Sequence, residues 1–291
     1  MTAPPLEEKW AFAGSFRTRY FEGGRYDAPV LVLLHDGAWG GSAPVTWGAL
    51  APLLTQDYRV IAPDLLGFGG TDKAVFLSES PYDFRIRHIF DLLKALDVKG
   101  PIHLMGNSFG GSLALRAAAQ QSQSNAEIFQ IRSVVSVNGS GGPWRTDLAL
   151  SELGRWDGTK NDLSRIVSLL IDDGPHFAAQ VDLRVAEAQK NGHYRAVKAA
   201  TIPLPETLRV PRSDEEWPSA LSNSTTPILL IGGSRDPLLK PEWMQKIKSA
   251  VPNCESSELD CKHAPNIDHV DELMAVITPF LSQQTNSQLI R

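Results

Sequence analysis

Short apolar runs recur along the chain, and glycine, proline or aspartate bounds most of them. Valine, isoleucine and leucine dominate these runs, which is typical of parallel strands that are covered on both faces. We predict five such strands, at residues 30–34, 59–62, 102–105, 134–137 and 227–231, and a more polar one at 255–259. Helical patterns occupy residues 46–56, 85–97, 110–121 and 271–282. Strands that alternate with helices predict an α/β fold with a mostly parallel, doubly wound sheet.

The alternation breaks between about residues 139 and 223, where helical patterning and tryptophan are frequent and no buried strand is convincing. We predict a helical cap at residues 139–222, inserted into a core domain formed by residues 1–138 and 223–291. Trp144, Trp156, Phe177 and Trp217 are candidates for lining an apolar acyl pocket in this cap. Each of them is also a plain candidate for the packing core of the cap.

Composition narrows the class of protein and its partners. The net charge of −5 and the lack of a basic patch give no reason to expect nucleic acid. Two cysteines are too few for a disulfide framework, and the seven histidines form no metal-binding tract. Residues 1–14 lack the features of a signal peptide, and the apolar runs are too short to span a membrane. We therefore predict a cytoplasmic protein with a small-molecule substrate and no membrane or metal partner, compatible with a homo-oligomer.

The strongest chemical signal is the sequence Gly106-Asn107-Ser108-Phe109-Gly110, which directly follows a predicted strand and opens an alanine-rich helix. Gly-x-Ser-x-Gly by itself recurs by chance. Between a strand and a helix, however, it is the pattern of a nucleophile elbow, which holds a serine on a tight, strained turn. The context therefore predicts Ser108 as a catalytic nucleophile.

A serine hydroxyl needs a base to take its proton, and the base needs a carboxylate to orient it. His263 follows the last predicted strand and is the best candidate for the base, ahead of His103 within a strand and His269 at a helix start. Asp236 follows the strand at 227–231 and is the best candidate for the acid, with Asp260 as its competitor. The chain order of serine, aspartate and histidine agrees with this fold.

The loop after the first predicted strand is where this fold places an oxyanion hole. We predict one backbone N–H donor from Gly37 or Ala38 and the other from Phe109. His35, which precedes them, is expected to brace the loop. These groups supply nucleophile, base and electrostatic stabilisation, so no cofactor is implied.

Taken together, these stretches resemble the α/β-hydrolase superfamily over nearly the whole chain. Within it they are similar to the meta-cleavage product hydrolases, which cleave carbon–carbon bonds in 2-hydroxy-6-oxo-dienoates. The matching stretches are residues 33–37, 58–69, 106–111 and 263–269. The resemblance implies that Asn107, before the nucleophile, and Arg184, in the cap, contact the polar end of the substrate. The alternative for Arg184 is a solvated arginine on a cap helix.

Three positions depart from that family. Asp36 stands where the family usually has glycine, so a carboxylate borders the oxyanion loop. Thr46 replaces an asparagine, and Ala264 replaces a tryptophan after the catalytic histidine. In the family, the last two positions touch the polar end of the substrate. Thr46 and Ala264 are therefore substrate-binding candidates, and we expect the substrate to differ from that of the family.

The leading functional hypothesis is a serine hydrolase that cleaves the carbon–carbon bond next to a ketone in a 2-hydroxy-6-oxo-dienoate. Cleavage of such a bond releases a carbanion as the leaving group. An arginine and an amide at the distal end of the substrate are needed to stabilise the negative charge on the oxygen there. A carboxylesterase or lactonase is the alternative, because an alkoxide leaves with only a proton from His263. A third class comprises acyltransferases, cyclases and binding proteins that keep the same residues.

Overall fold

The computed structural model describes residues 6–123, 130–199, 202, 205 and 217–286, and the following refers to them. Eight strands form one sheet: β1 (Glu7–Ala13), β2 (Phe16–Gly23), β3 (Val30–Leu34), β4 (Arg59–Pro63), β5 (Ile102–Asn107), β6 (Ile131–Val137), β7 (Ile228–Gly233) and β8 (Cys254–Leu259). Their spatial order is β1-β2-β4-β3-β5-β6-β7-β8. The six strands from β3 to β8 are parallel to one another. Strand β2 pairs antiparallel with β1 on one side and with β4 on the other.

All six predicted strands are present, and β1 and β2 are additional. These two form a hairpin at the edge of the sheet, and Gly14 in its turn has a φ of 57°. In β1 only the last residue, Ala13, is buried, because the strand covers the sheet with one face and exposes the other. Charged residues interrupt β1, so it lacks the continuous apolar run that predicts a strand buried on both faces.

The helices of the core are α1 (Ala43–Trp47), α2 (Ala51–Leu54), α3 (Asp83–Ala95), α4 (Phe109–Gln123), α9 (Trp243–Lys248), α10 (Pro265–Asp268) and α11 (Val270–Asn286). The helix predicted at 46–56 is wrong, since two short helices occupy this stretch. Pro44 and Pro52 each lie in the first turn of one of them, where proline is tolerated. Gly48 ends α1.

Alternation along the central strands divides the core into two layers. Val30, Val32 and Leu34 pack on one face of the sheet, with α3 and α4, whereas Leu31 and Leu33 pack on the other, with α11. Successive side chains of a strand point to opposite faces, so a strand that is buried on both faces needs a continuous apolar run. This packing fixes the ends of the parallel strands, where the candidate site lies.

Among the described residues, four α-helices lie between β6 and β7: α5 (Asp147–Glu152), α6 (Lys160–Leu170), α7 (Phe177–Ala188) and α8 (His193–Ala199). They share an apolar cluster of their own, to which Leu163, Ile166 and Val181 contribute from α6 and α7. Trp39 from the core and Ala264 also belong to this cluster, so the helices pack over the loops that follow β3 and β8. The limits of the cap at 139 and 222 remain a prediction.

Candidate active site

Ser108 lies between the end of β5 and the start of α4, on a sharp turn. Its φ of 56° is in the left-handed region, which a residue with a Cβ rarely adopts. Its N–H donates to the carbonyl of Val137 at 2.8 Å, so the neighbouring strand holds the turn. Strained backbone of this kind concentrates at functional sites, because the surrounding structure must maintain it.

The glycines on either side of Ser108 are required by close backbone packing. A Cβ on Gly106 would lie 2.1 Å from the carbonyl carbon of Gly110. A Cβ on Gly110 would lie 2.0 Å from the carbonyl oxygen of Leu34. No side chain fits at these distances, so helix α4 approaches β3 and β5 only because both positions are glycine.

The predicted base and acid lie together. His263 Nδ1 is 2.7 Å from Asp236 Oδ2, and both side chains are buried. Asp236 follows β7 and accepts a second hydrogen bond from the N–H of Leu238 at 2.8 Å. With Nδ1 donating to the carboxylate, His263 Nε2 carries a lone pair, and this buried nitrogen has no partner among the described residues. The imidazole is therefore oriented with one nitrogen available to accept a proton.

The competing residues are occupied elsewhere. Asp260 is exposed at the surface and accepts a hydrogen bond from Arg235 Nε at 2.7 Å. His103 is buried within β5, where Nδ1 is 2.7 Å from Ser133 Oγ, and burial lowers its pKa to about 3. His269 lies beside two other carboxylates, with Nδ1 at 2.9 Å from Asp268 Oδ1 and Nε2 at 3.7 Å from Asp172 Oδ2, although Nδ1 makes no hydrogen bond among the described residues.

Two asparagine side chains hold the loop that carries His263. Asn107 Nδ2 donates to the carbonyls of His263 at 3.0 Å and Val137 at 3.2 Å, so both of its N–H groups are used within the protein. The amide oxygen Oδ1 is buried and has no partner among the described residues, and a contact of Asn107 with the substrate stays a prediction. Asn138 Nδ2 also donates to the His263 carbonyl, at 2.9 Å, while its Oδ1 accepts from Gly233 N–H. We did not predict Asn138, although an asparagine directly after a buried strand was a signal.

One of the two alternatives for the oxyanion loop is excluded. The N–H of Ala38 donates to Asp36 Oδ1 at 2.9 Å, so the prediction of Ala38 as a donor is wrong. The N–H groups of Gly37 and Phe109 have no acceptor among the described residues. A Cβ on Gly37 would lie 2.9 Å from Phe109 Cβ, which places the two backbones side by side. His35 braces the loop: its Nδ1 is 2.6 Å from the Asp36 carbonyl, and its Nε2 accepts from Leu65 N–H.

Arg184 of α7 is fully buried and forms a bidentate ion pair with Asp36. Nη1 donates to Oδ1 at 3.1 Å and Nη2 donates to Oδ2 at 2.8 Å. Thr46 Oγ1 donates to the same carboxylate, at 2.7 Å from Oδ2. Burial alone would raise the pKa of the Asp36 carboxyl, but Arg184 and Thr46 hold it well below its usual range. The alternative of a solvated Arg184 is therefore wrong.

The other predicted substrate-binding residues lie in packed surroundings. Ala264 is buried, and its N–H donates to the carbonyl of Leu170 in α6 at 2.9 Å. Phe177 is half-buried against the apolar cluster of the cap helices. Trp144, with a φ of 65°, packs half-buried against the core layer that includes α3 and α4. Whether these side chains touch a substrate stays a prediction.

Helix α7 contacts the core through three polar residues at helical spacing. Gln180 Nε2 donates to the carbonyl of Val45 at 3.2 Å, and Arg184 pairs with Asp36. Glu187 accepts two hydrogen bonds from Arg19 Nη2, each 3.1 Å long. Spacings of four and three residues place these side chains on one face of the helix.

One cluster of the described residues has the composition of a metal site: Asp172, Asp268 and His269. The two carboxylate oxygens of Asp172 already accept hydrogen bonds from Arg235, at 2.7 and 2.8 Å. Lys262 Nζ is 3.9 Å from Asp172 as well, so two cations compensate this carboxylate.

None of the described helices is long and apolar enough to cross a membrane.

A mostly parallel eight-stranded sheet with a strained serine between β5 and α4 defines the class of α/β hydrolases. A sequence profile of the α/β hydrolase family matches residues 31–276, and the chain belongs to this family. Expectations for the fold and for a hydrolase are thereby confirmed.

The relatives include a dienoic acid hydrolase and a methyl ester esterase. The 2-hydroxy-6-oxo-6-(2'-aminophenyl)hexa-2,4-dienoic acid hydrolase of Metapseudomonas resinovorans is 26% identical over 285 residues, 96% of this chain and 92% of the relative. The pimeloyl-[acyl-carrier protein] methyl ester esterase of Aromatoleum aromaticum is 28% identical, over 86% of this chain and 96% of that one. The structure of 2-hydroxy-6-oxo-6-phenylhexa-2,4-dienoate hydrolase from Rhodococcus sp. strain RHA1 superposes with a TM-score of 0.80 at 21% identity, covering 97% and 99% of the two chains.

Proposed function

We propose that this chain hydrolyses an acyl-type bond with Ser108 as nucleophile, His263 as general base and Asp236 as the residue that orients the base. The observation that carries the proposal is the buried hydrogen bond between His263 Nδ1 and Asp236 Oδ2, which leaves Nε2 without a partner. The strained turn at Ser108 adds to it, since such a turn exposes a hydroxyl at the end of the sheet.

In the first half of the reaction, Ser108 Oγ attacks the carbonyl carbon and His263 Nε2 takes the hydroxyl proton. The tetrahedral oxygen accepts hydrogen bonds from the N–H groups of Gly37 and Phe109. His263 then gives its proton to the leaving group, and an acyl-enzyme ester remains on Ser108. In the second half, His263 takes a proton from water, the hydroxide attacks the ester, and Ser108 Oγ leaves with that proton.

The first candidate for the bond is the carbon–carbon bond next to the ketone of a 2-hydroxy-6-oxo-dienoate, as in the degradation of aromatic compounds. The relative from Metapseudomonas resinovorans, which matches along nearly the whole of both chains, is named for such a substrate and supports this candidate. A small-molecule substrate follows from it.

The second candidate is the hydrolysis of a carboxylic ester or lactone. The observation that favours it is the pairing of Arg184 with Asp36, because this pairing engages the arginine that a dienoate carboxylate would need. The esterase relative from Aromatoleum aromaticum also supports it.

The test compares 4-nitrophenyl butyrate with 2-hydroxy-6-oxo-6-phenylhexa-2,4-dienoate for the wild type and for Ser108→Ala. The release of 4-nitrophenolate and the loss of the dienoate's visible absorbance report the two reactions. We expect the variant to lose turnover of every substrate that the wild type accepts. The substrate with the higher kcat/KM identifies the bond, and activity that persists in the alanine variant would overturn the proposal.

A further inference from the structure

The carboxylate of Asp36 has no hydrogen-bonding capacity left. Oδ1 accepts from the N–H of Ala38 at 2.9 Å and from Arg184 Nη1 at 3.1 Å. Oδ2 accepts from Thr46 Oγ1 at 2.7 Å and from Arg184 Nη2 at 2.8 Å. An ionised carboxylate offers about four acceptor sites, so the protein itself satisfies this one completely.

The charges of the pair cancel within the protein. Both side chains are nearly inaccessible, at 1% exposed for Arg184 and 2% for Asp36. A buried charge is tolerated only when an opposite charge and hydrogen bonds compensate for its lost hydration. Asp36 is the one carboxylate within salt-bridge distance of Arg184 among the described residues. The guanidinium therefore has no charge to spare for a second anion.

The pair borders the proposed oxyanion loop. Asp36 immediately precedes Gly37, whose backbone lies against Phe109. On the other side, Thr46 accepts a hydrogen bond through its carbonyl from Asn266 Nδ2, at 2.6 Å, on the loop and helix that follow His263. The ion pair thus lies between the segments that carry the proposed oxyanion donor and the proposed base.

We propose that Asp36 is an internal counter-ion of Arg184 that selects substrates without a carboxylate at this part of the site. The substrate class is an uncharged acyl compound, a carboxylic ester or lactone, and this inference rests on the proposed serine hydrolase function. A substrate carboxylate placed here would face the Asp36 carboxylate in a dehydrated setting, without a cation to compensate it.

The remaining hydrogen-bonding capacity suits an uncharged group. Arg184 Nε is buried and has no partner among the described residues. Of the five N–H groups of Arg184, two donate to Asp36 and a second one on Nη1 donates to the Trp39 carbonyl at 3.3 Å. The N–H of Nε and the second N–H of Nη2 are left without an acceptor among the described residues, and either can donate to a carbonyl or ether oxygen, which carries no charge and leaves the pair intact. These donors are insufficient for a carboxylate, because the charge of Arg184 is already neutralised and a buried carboxylate needs a net positive partner.

The test uses two pairs of probes that differ by one carboxylate. The first pair is 2-hydroxy-6-oxo-6-phenylhexa-2,4-dienoate and its methyl ester, in which the charge lies on the leaving fragment. The second is 4-nitrophenyl hydrogen glutarate and 4-nitrophenyl methyl glutarate, in which the charge lies on the acyl chain. For the wild type we expect the uncharged member to have a kcat/KM at least about tenfold higher in one or both pairs.

Asp36→Asn is the decisive variant, because it leaves Arg184 with an uncompensated charge at nearly unchanged volume. We expect it to shift the ratio of kcat/KM toward the carboxylate probe by about tenfold or more. Asp260→Asn is the matched control, since it removes the same charge from an exposed side chain that pairs with Arg235. The control is expected to keep the wild-type ratio.

A measurement on the wild type alone guards against misfolding of Asp36→Asn. Butyrate and butyramide are compared as competitive inhibitors, and we expect the amide to bind more tightly. The inference is overturned if the wild type prefers the carboxylate probes and butyrate, or if both variants change the probe ratio equally. In these cases Ser108→Ala still abolishes turnover. Failure of the proposed function is distinguishable, because turnover would then persist in Ser108→Ala.

Discussion

Asp236 and Asp36 are two of the buried carboxylates near the ends of the parallel strands, and they are used in opposite ways. Asp236 Oδ2 lies 2.7 Å from His263 Nδ1. Asp36 Oδ2 lies 2.8 Å from Arg184 Nη2. The first pair leaves His263 Nε2 without a partner, whereas the second satisfies every acceptor site of its carboxylate. An unpaired atom permits proton transfer, and a saturated pair permits only positioning and selection.

This contrast separates chemistry from specificity. The pair of His263 and Asp236 lies on loops after β8 and β7, on the core that shares its family profile with many hydrolases. The pair of Asp36 and Arg184 joins the core to a cap helix, and its residues lie 148 positions apart in the chain. If the proposed roles hold, a change in the second pair alters the substrate while the first pair keeps the reaction.

The largest effect is expected from Ser108→Ala, which removes the proposed nucleophile and keeps the Cβ and its strained backbone. We expect kcat to fall about 10⁴-fold or more, since loss of a nucleophile removes the covalent route altogether. Thermal unfolding should be close to that of the wild type. Ser168→Ala, at an exposed position of α6, serves as the control and is expected to keep full activity.

Asp236→Asn is expected to cost about 10³- to 10⁴-fold in kcat, because the amide no longer selects the imidazole tautomer with an acceptor at Nε2. The same change at Asp260 removes an exposed carboxylate bonded to Arg235, and kcat should remain within about twofold of the wild type. Steady-state kinetics of both variants on one ester decide the matter. Equal losses would contradict the assignment of the acid.

Arg184→Met is expected to lower the free energy of unfolding by about 3–5 kcal/mol, since it leaves the Asp36 carboxylate buried without a cation. Adding Asp36→Asn removes that charge, so the double variant should regain part of the loss. Denaturant unfolding of the wild type, both single variants and the double variant measures this coupling. Strictly additive losses would show that the two side chains stabilise the protein independently.

The smallest effect concerns pH. Burial lowers the pKa of His88 to about 4, of His103 to about 3 and of His193 to about 4. A histidine in the unfolded chain has a pKa of about 6.5, so below this pH the unfolded chain binds more protons than the folded protein. The free energy of unfolding should therefore fall as the pH falls from 6.5 to 5.

The pKa of Asp36 is also lowered, so its stabilising effect is complete above about pH 4, the ordinary pKa of the unfolded side chain, and is lost only below it. The difference in unfolding free energy between the wild type and Asp36→Asn should thus stay constant from pH 7.5 to 5. Denaturant unfolding at several pH values checks this. A difference that shrinks within this window would contradict the ionised state of the pair.

Local patterns were sufficient for the central sheet and for the elbow. The strands from β3 to β7 are mostly apolar because both of their faces are covered, and the two glycines around Ser108 reflect close backbone contacts of α4 with β5 and β3. The strands β1 and β2 were missed because charged residues interrupt both. In β1 they lie on an exposed face, whereas in β2 Arg19 is buried and paired with Asp64. The break between α1 and α2 was missed although Pro52 marks it.

Contacts between distant segments were beyond local patterns. The sequence placed a carboxylate at Asp36 and an arginine at Arg184, yet nothing in either segment indicates that the two meet across the cap. Donation from the Ala38 N–H to Asp36 likewise depends on how the loop folds back on itself. The roles of Asn107 and Asn138 depend on where β8 ends relative to β5 and β6.

The polar face of α7 has a consequence for exchanging parts between related enzymes. Gln180, Arg184 and Glu187 each require a particular receptor on the core, namely the carbonyl of Val45, Asp36 and Arg19. If this cap were grafted onto the core of a relative that lacks these partners, its charged side chains would be buried without an opposite charge or a hydrogen bond. The helix and its three receptors therefore form one transplantable unit, and a chimera would need to inherit them together.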